Sequence, residues 1–424
     1  MYSSTRWTAV SVSLLPLIVG TPVMAQTDGD RIRQLEAQVS AMAQELAALR
    51  SELENAKQAR SSDDPQPTPA AINEVRQAAE KATESAKSAN EWKHVSSVQH
   101  LAGYASASYI DPENANSAFI AGFNPIFHYL ALDKVLWEAE VEIELEEDGE
   151  TAIELEYSAI DLFLSNNLTL TAGKFLSPIG NFRQNLHPTW INKFPSMPPG
   201  FGHDGAAPVS EVGFQLRGAA PFGNNRRLTY AAYVGNGPQL EGEDGEIHGI
   251  EAEGFAADPD DEKVFGGRIG FLPVPELELA VSGAFGEAAV VRNDEIEIEG
   301  DPSRDYTVLG FDGSYRWRDF AFRGEYVKQK VDSQELSVAP EGDEWEAWYA
   351  QGAYRFGQDK WEGVVRYTDF NSPHPDDSQE QWAFGVNYLL TQSAMVKFGY
   401  EANSGETGEV TDDDRLLVQI AYGY

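Results

Sequence analysis

The sequence predicts an all-β transmembrane barrel of about 16 antiparallel strands, preceded by an N-terminal α-helical coiled coil. Three observations carry that expectation. From about Val95 to Tyr424, apolar and polar residues alternate with a period of two in segment after segment. The links between these segments are alternately short and long, as in a barrel with tight turns at one end and long loops at the other. Between Ile32 and Leu53 the apolar period is instead three and four, the seam of a heptad repeat.

Residues 1–25 (MYSSTRWTAVSVSLLPLIVGTPVMA) hold one Arg, an apolar run and Val23-Met24-Ala25 as a small-residue cleavage site. This is the pattern of a secretory signal peptide, and the run is too short and Pro-broken to cross a bilayer as a helix. Residues 26–60 read as a parallel coiled coil with Ile32, Leu35, Val39, Met42, Leu46, Leu49 and Leu53 as its core. The pairs Arg31–Glu36, Glu45–Arg50 and Glu52–Lys57 bring opposite charges together across the seam. A single amphipathic helix packed on a domain would explain the apolar seam but would not require complementary flanks. The seam implies a homo-oligomer. A trimer is expected, although these core residues are compatible with several states. Residues 61–94 open with SSDDPQPTP, whose prolines end the helix as a linker, and continue as an Ala-rich helix.

Residues 95–424 supply the barrel. Candidate strands lie at 95–109, 118–132, 135–146, 151–164, 168–176, 210–219, 227–236, 263–272, 276–287, 305–317, 319–332, 343–356, 360–370, 379–390, 394–403 and 414–424. The long loops are 177–209, 237–262, 288–304, 333–342, 371–378 and 404–413; the link at 147–150 is short where the alternation asks for a long one. An even number of strands returns the chain to the side on which it began. The coiled coil and Tyr424 are therefore expected on the short-turn, periplasmic side.

Outward rows support a lipid-facing wall. Trp382, Phe384, Val386, Tyr388 and Leu390 form one; Val396, Phe398 and Tyr400 another; Thr307, Leu309, Phe311, Tyr315 and Trp317 a third. The chain ends RLLVQIAYGY, in which Leu416, Val418, Ile420, Tyr422 and Tyr424 share a face. A half-buried strand of a soluble sandwich would alternate in the same way, but it has no reason to keep the parity of the loops. Trp and Tyr near strand ends suit the headgroup girdles of a barrel.

Composition limits the function. The chain has 424 residues, 31 Lys and Arg against 68 Asp and Glu, a formal net charge of −37 and no cysteine. That excludes a disulfide scaffold, thiolate metal sites and thiol nucleophiles. The acidity argues against nucleic acid as a partner, since phosphate neutralisation needs clustered cations. The seven histidines are scattered, without H-E-x-x-H, and there is no G-x-S-x-G elbow. No catalytic residue, cofactor or resident metal is expected.

The terminal aromatic residue on an alternating last strand resembles the assembly signal of bacterial outer-membrane proteins. Residues 170–202, LTAGKFLSPIGNFRQNLHPTWINKFPSMPPGFG, resemble the segment of bacterial porins in which a Gly-Lys-Phe strand runs into the third extracellular loop. The resemblance is closest to the phosphate-selective porin O/P group. A coiled coil before a sixteen-stranded barrel is also similar to dicarboxylate-type trimeric porins. These resemblances imply an outer-membrane channel; the phosphate-selective members carry a dense ladder of inward arginines that this sequence lacks, so phosphate selectivity is not implied.

The alternation also assigns the lumen. In KVLWEAEVEIELEEDG the outward set leaves Glu138, Glu140, Glu142 and Glu144 facing inward, joined by Glu154 and Glu156 from the next strand. Arg217, Arg268, Arg316, Arg323, Arg355, Arg366 and Lys397 form a basic wall. Such walls either steer charged solutes or pair with one another, and a slip of one residue would invert the assignment. The loop 177–209 carries Phe182, Trp190, Ile191, Phe194, Met197 and Phe201. A loop so aromatic needs a surface to pack on, either the lumen or a subunit interface. Folded inward, it would bring Arg183, His187, Lys193, His203 and Asp204 to a constriction. Residues 238–262 hold ten acidic residues and no Lys or Arg, reading as a solvated loop open to nonspecific divalent cations and lipopolysaccharide. They lack the spacing of a calcium loop. The function expected is a porin passing small hydrophilic or charged solutes by passive diffusion. Its rivals are a plugged outer-membrane anchor or cell-wall tether, and a barrel-type hydrolase.

Overall fold

The computed structural model describes residues 97–145, 149–203, 205–223, 225–243, 246–292, 296–297 and 301–424. The signal peptide, coiled coil and linker expected over 1–94 lie outside the described residues, as does Asp204.

The strands are β1 (Ser97–Pro112), β2 (Ala118–Ala131), β3 (Val135–Leu145), β4 (Thr151–Ser165), β5 (Leu168–Leu176), β6 (Ser210–Pro221), β7 (Arg227–Gly235), β8 (Gln239–Glu243), β9 (Glu246–Glu251), β10 (Val264–Val274), β11 (Leu277–Arg292), β12 (Ile296–Glu297), β13 (Arg304–Trp317), β14 (Phe320–Val331), β15 (Asp343–Phe356), β16 (Trp361–Asn371), β17 (Gln379–Leu389), β18 (Ala394–Ser404) and β19 (Arg415–Gly423). Sixteen of them form an antiparallel wall in chain order, with β7 beside β10 and β11 beside β13. The wall closes on itself where β1 pairs with β19, from Tyr104↔Gly423 to Pro112↔Arg415. Closure pairs every wall strand on both edges, which a bilayer requires because hydrocarbon offers no partner to a free backbone group.

Three strands overturn the expectation of plain loops at 237–262 and 288–304. β8 and β9 form a hairpin, and β8 also runs parallel to the extended end of β11, with Gln239 opposite Ala289. β12 pairs with the last residues of β11. The hairpin buries Leu240, Ile247 and Ile250, so the segment is not simply a solvated acidic loop. Its carboxylates alternate with these apolar residues, and alternation is what lets a charged segment pair as strands.

The expected faces are present. Leu416, Ile420, Tyr422 and Tyr424 are exposed outward, while Leu417, Gln419 and Ala421 between them are buried inward. Aromatic side chains band both ends of the wall. At the turn end Trp317, Phe320, Tyr354 and Phe356 stack in sequence, beside Trp361 tilted against Tyr388; at the loop end Trp348, Tyr367 and Trp382 meet in tilted ring contacts. The register of the wall shifts between Phe163 and Ser165, between Phe271 and Val274, and, next to the acidic residues, between β3 and β4. Glu140 lies opposite Tyr157 and Val141 opposite Leu155, so Glu156 is a bulge residue. The bulge places Glu156 and its neighbour Tyr157 both on the inward side and shifts the inward set beyond it to Ala159 and Asp161.

The seam depends on Gly103, whose φ of +148° is strained for an L side chain. A Cβ there would lie 2.3 Å from Asn124 O and 2.6 Å from the Tyr424 hydroxyl. Gly103→Val is expected to block closure, leaving mostly unfolded, heat-unmodifiable protein on a semi-native gel. A full yield of folded barrel would show that the seam tolerates a side chain.

Inside, an apolar core sits at the loop end of β10 to β16. It joins Ile179, Phe182 and Phe201 of the loop 177–209 and the three hairpin residues to wall residues such as Val264, Val331, Trp345 and Tyr349. The outer half of that side of the barrel is thus filled like the interior of a soluble protein.

Candidate functional site

The loop 177–209 folds into the barrel. Its prolines at 188, 195, 198 and 199 forbid a strand ladder, and its start makes a single π turn, Phe182–Leu186. Its backbone is therefore satisfied by inward side chains of the wall. The Asn181 and Phe182 amides donate to Glu325 at 3.0 and 2.9 Å, and the Gly180 amide to Ser282 Oγ at 3.1 Å. Further along, Asn387 donates to Lys193 O at 2.9 Å, and Lys397 donates to Phe194 O at 3.0 Å and also to Thr189 O. Arg366 donates to Ser196 O and Met197 O, and its guanidinium lies 4.7 Å from the centre of the Phe194 ring. Phe182 and Phe201 pack edge-on against Tyr349. The aromatic residues of the loop have found their packing surface inside the subunit.

All these anchors lie on β11 to β19. Across from them, the loop leaves a gap against β2 to β6, a space of about 300 Å³ between Gln184, Asn185 and His187 on one side and Glu138, Glu140 and Asp161 on the other. His187 also borders a space of about 620 Å³ toward the long loops, lined by Glu142, Glu144, Glu154 and His203. Gln184, Asn185, Glu138 and Arg217 also border a space of about 910 Å³ toward the short turns, where Arg268, Arg316 and Arg323 stand. Three spaces that share lining residues thus lie beside the loop and on either side of it, the one beside the loop being the smallest of the three.

Of the residues expected to line the lumen, Glu138, Glu140, Glu142, Glu144, Glu154, Arg217, Arg268, Arg316 and Arg323 border the three spaces. The expected constriction set divides. Arg183, His187 and His203 come together with Glu140, Glu142 and Glu156. Arg183 is 3.9 Å from Glu156 and donates to His203 Nε2 at 3.3 Å, and His187 Nε2 is 4.0 Å from both Glu140 and Glu156. His203 in turn donates through Nδ1 to Glu253 of the next long loop, and that hydrogen bond holds its imidazole above the usual histidine pKa. Lys193 departs from this group. It reaches the far wall, pairing with Glu362 at 2.5 Å, and burial holds its ammonium below the usual lysine value. The position is set by Asn387, which fixes the Lys193 carbonyl on β17.

The basic wall does not oppose the acidic wall as an open array. Arg217 pairs with Asp161, Arg268 with Asp312 and Glu278, Arg355 with Glu362, and Arg366 with Glu401, which Arg415 also meets. Those carboxylates, with Glu325, are the functional residues that the sequence reading missed. The signal was in the strands: Glu325, Glu362 and Glu401 stand two or four residues from Arg323, Arg366 and Lys397, hence on the same inward face.

No curated protein sequence matches the chain. Solved structures of similar fold include the anion-selective porin from Comamonas acidovorans (12% identity, 77% of this chain and 100% of that one, TM-score 0.51). The outer-membrane channel DcaP of Acinetobacter baumannii matches at 11% identity over 77% and 97% of the two chains, TM-score 0.51. Salmonella typhi OmpF, in complex with daunomycin, matches at 12% over 77% and 97%, TM-score 0.51. At such identities they share the fold. The model of the Gram-negative porin family matches residues 137–408, most of the barrel, and the chain belongs to that family: it is an outer-membrane channel for passive diffusion.

Proposed function

We propose that this porin passes small hydrophilic solutes with a preference for cations, through the gap between the loop 177–209 and the acidic wall of β3 and β4. The observation that carries the reading is the imbalance of pairing. Five of the seven basic wall residues meet a carboxylate or, for Lys397, backbone carbonyls and Gln419. Among the described residues no Lys or Arg pairs with Glu142, Glu144 or Glu154 in the outer vestibule. Charges that are paired cancel at a distance, so the field a solute meets there is that of the carboxylates. Arg183, His187 and His203 would set the width and charge of the neck; Asp204 lies beside them in sequence. The acidic preference sets this chain apart from its anion-selective structural neighbour, and the likeness of 170–202 to the phosphate-selective group is read as a likeness of loop architecture. Family and fold support a channel over a hydrolase. The heptad seam at 26–60 supports a homotrimer with its coiled coil in the periplasm, and the acidic outer loops suit divalent ions shared with lipopolysaccharide.

Reconstitution in a planar bilayer tests this. A KCl gradient is expected to give stepwise openings, in groups of three, with a cation-directed reversal potential. An anion-directed potential would overturn the cation preference and make Arg316 and Arg323 the controlling charges. Silence from folded protein would favour a plugged anchor.

A further inference from the structure

The neck brings together a set of metal-ligating side chains. Carboxylate oxygens of Glu142 and Glu156 and a ring nitrogen of His203 all lie within 4.8 Å of one another. Tetrahedral donors around a zinc-sized ion stand about 3.3 Å apart, so a contraction of up to about 1.5 Å in their separations would bring these three to bonding distance. A second observation points to the same place. His187 is buried, its Nδ1 donates to Arg183 O, and its Nε2 is left without a hydrogen-bond partner, 4.0 Å from Glu156 Oε1, which also makes no hydrogen bond and faces Arg183 at 3.9 Å. Buried nitrogen and oxygen atoms left without hydrogen bonds so close together are a costly arrangement unless a shared cation satisfies them. The tautomer of His203 is already set for ligation: Nδ1 donates to Glu253, which leaves Nε2 as the electron-pair donor. A carboxylate behind a histidine in this way orients the ring and raises its basicity toward a metal. The mixture of imidazole with carboxylate favours a transition-metal dication over calcium or magnesium, which prefer oxygen alone.

We propose that Glu142, Glu156 and His203, with His187 facing Glu156 beside them, form a binding site for a dication such as Zn²⁺ that closes the passage. The ligands come from opposite sides of the neck. His203 belongs to the loop, Glu142 and Glu156 to the wall. A metal bound by both would staple the loop to the wall across the gap that solutes use, and would neutralise the carboxylates facing it. Arg183 is the competitor. Its guanidinium occupies the space between His203 Nε2 and Glu156, but its Nε has no partner and its Nη1 meets only the Met197 sulfur at 3.5 Å, so it is weakly held there. The inference rests on the neck geometry, and binding can be read apart from conduction.

The test uses the full chain in detergent and in planar bilayers. Titration with Zn²⁺ is expected to lower conductance, with recovery on adding EDTA, while Mg²⁺ and Ca²⁺ at the same concentrations leave it unchanged. His203→Ala and Glu156→Gln are expected to abolish the block, and Glu253→Gln to weaken it roughly tenfold, the usual loss for a supporting carboxylate. Arg183→Gln is expected to strengthen it. Calorimetric titration of the same variants with Zn²⁺ reads binding even if a variant does not conduct, and heat-modifiability on gels confirms that each has folded. Failure of wild type to bind Zn²⁺, block that survives in His203→Ala, or equal block by Ca²⁺ would each overturn the site. The last would mark simple screening of the acidic wall.

Discussion

Arg366→Met is expected to loosen the loop 177–209 and raise single-channel conductance. Arg366 is completely buried. Its guanidinium donates to Gln381 Oε1 at 2.9 Å, to Ser196 Oγ at 3.3 Å, and to the Ser196 and Met197 carbonyls, 3.7 Å from Glu401. Met keeps much of the volume but removes every donor. Two loop carbonyls then lose their partner, and Glu401 keeps Arg415, 2.7 Å away, as its remaining cation. Breaking a buried charge pair from one side costs roughly 3–5 kcal/mol. That should appear as a lower temperature of heat-modification, together with larger and noisier openings as the 189–197 stretch leaves the wall. Lys397→Met, which removes the donor to Thr189 and Phe194, should act in the same direction. Unchanged conductance in both would show that the other anchors, Glu325, Ser282 and Asn387, hold the loop, and Glu325→Gln would then become the decisive variant.

Glu142→Gln, Glu144→Gln and Glu154→Gln combined are expected to collapse the cation preference with little change in conductance at high salt. The three side chains line the outer vestibule and sit on neighbouring strands, with Glu142 directly opposite Glu154. Like charges this close reinforce one another's field. A wall at a potential of a few kT enriches counter-ions roughly tenfold. Glutamine keeps shape and polarity, so the channel's width is preserved while the field is removed. Ionic strength supplies an internal control: screening acts over about 10 Å in 0.1 M salt and about 3 Å in 1 M. The difference between wild type and the triple variant should therefore be large in the dilute solution and small in the concentrated one. A reversal potential unmoved at 0.1 M would place selectivity elsewhere, in the neck or in the arginines of the turn-side space.

What was legible in the sequence and what was not divide along a physical line. Period two is a local property, so the sixteen wall strands could be read off directly. The bulge at Glu156 did no harm, because Glu154 keeps its parity with Glu142 and the extra residue also turns inward. Pairing partners are not local. Nothing near Lys193 in the chain indicates Glu362, 169 residues away, and so its departure from the neck could not be foreseen. The hairpin β8–β9 was hidden for a different reason. Its acidic composition suggested solvent, while its three buried apolar residues become meaningful only when the end of β11 and the loop 177–209 provide a surface for them.

That buried surface has a thermal consequence. The wall is held by backbone ladders in a medium without water, whereas the core at the loop end of β10 to β16 is held by withdrawal of apolar side chains from water. Only the second carries the large heat-capacity signature of the hydrophobic effect, and it weakens on cooling. The two parts of one barrel therefore reach their greatest stability at different temperatures, and cold loosens the folded-in loops before it touches the strands.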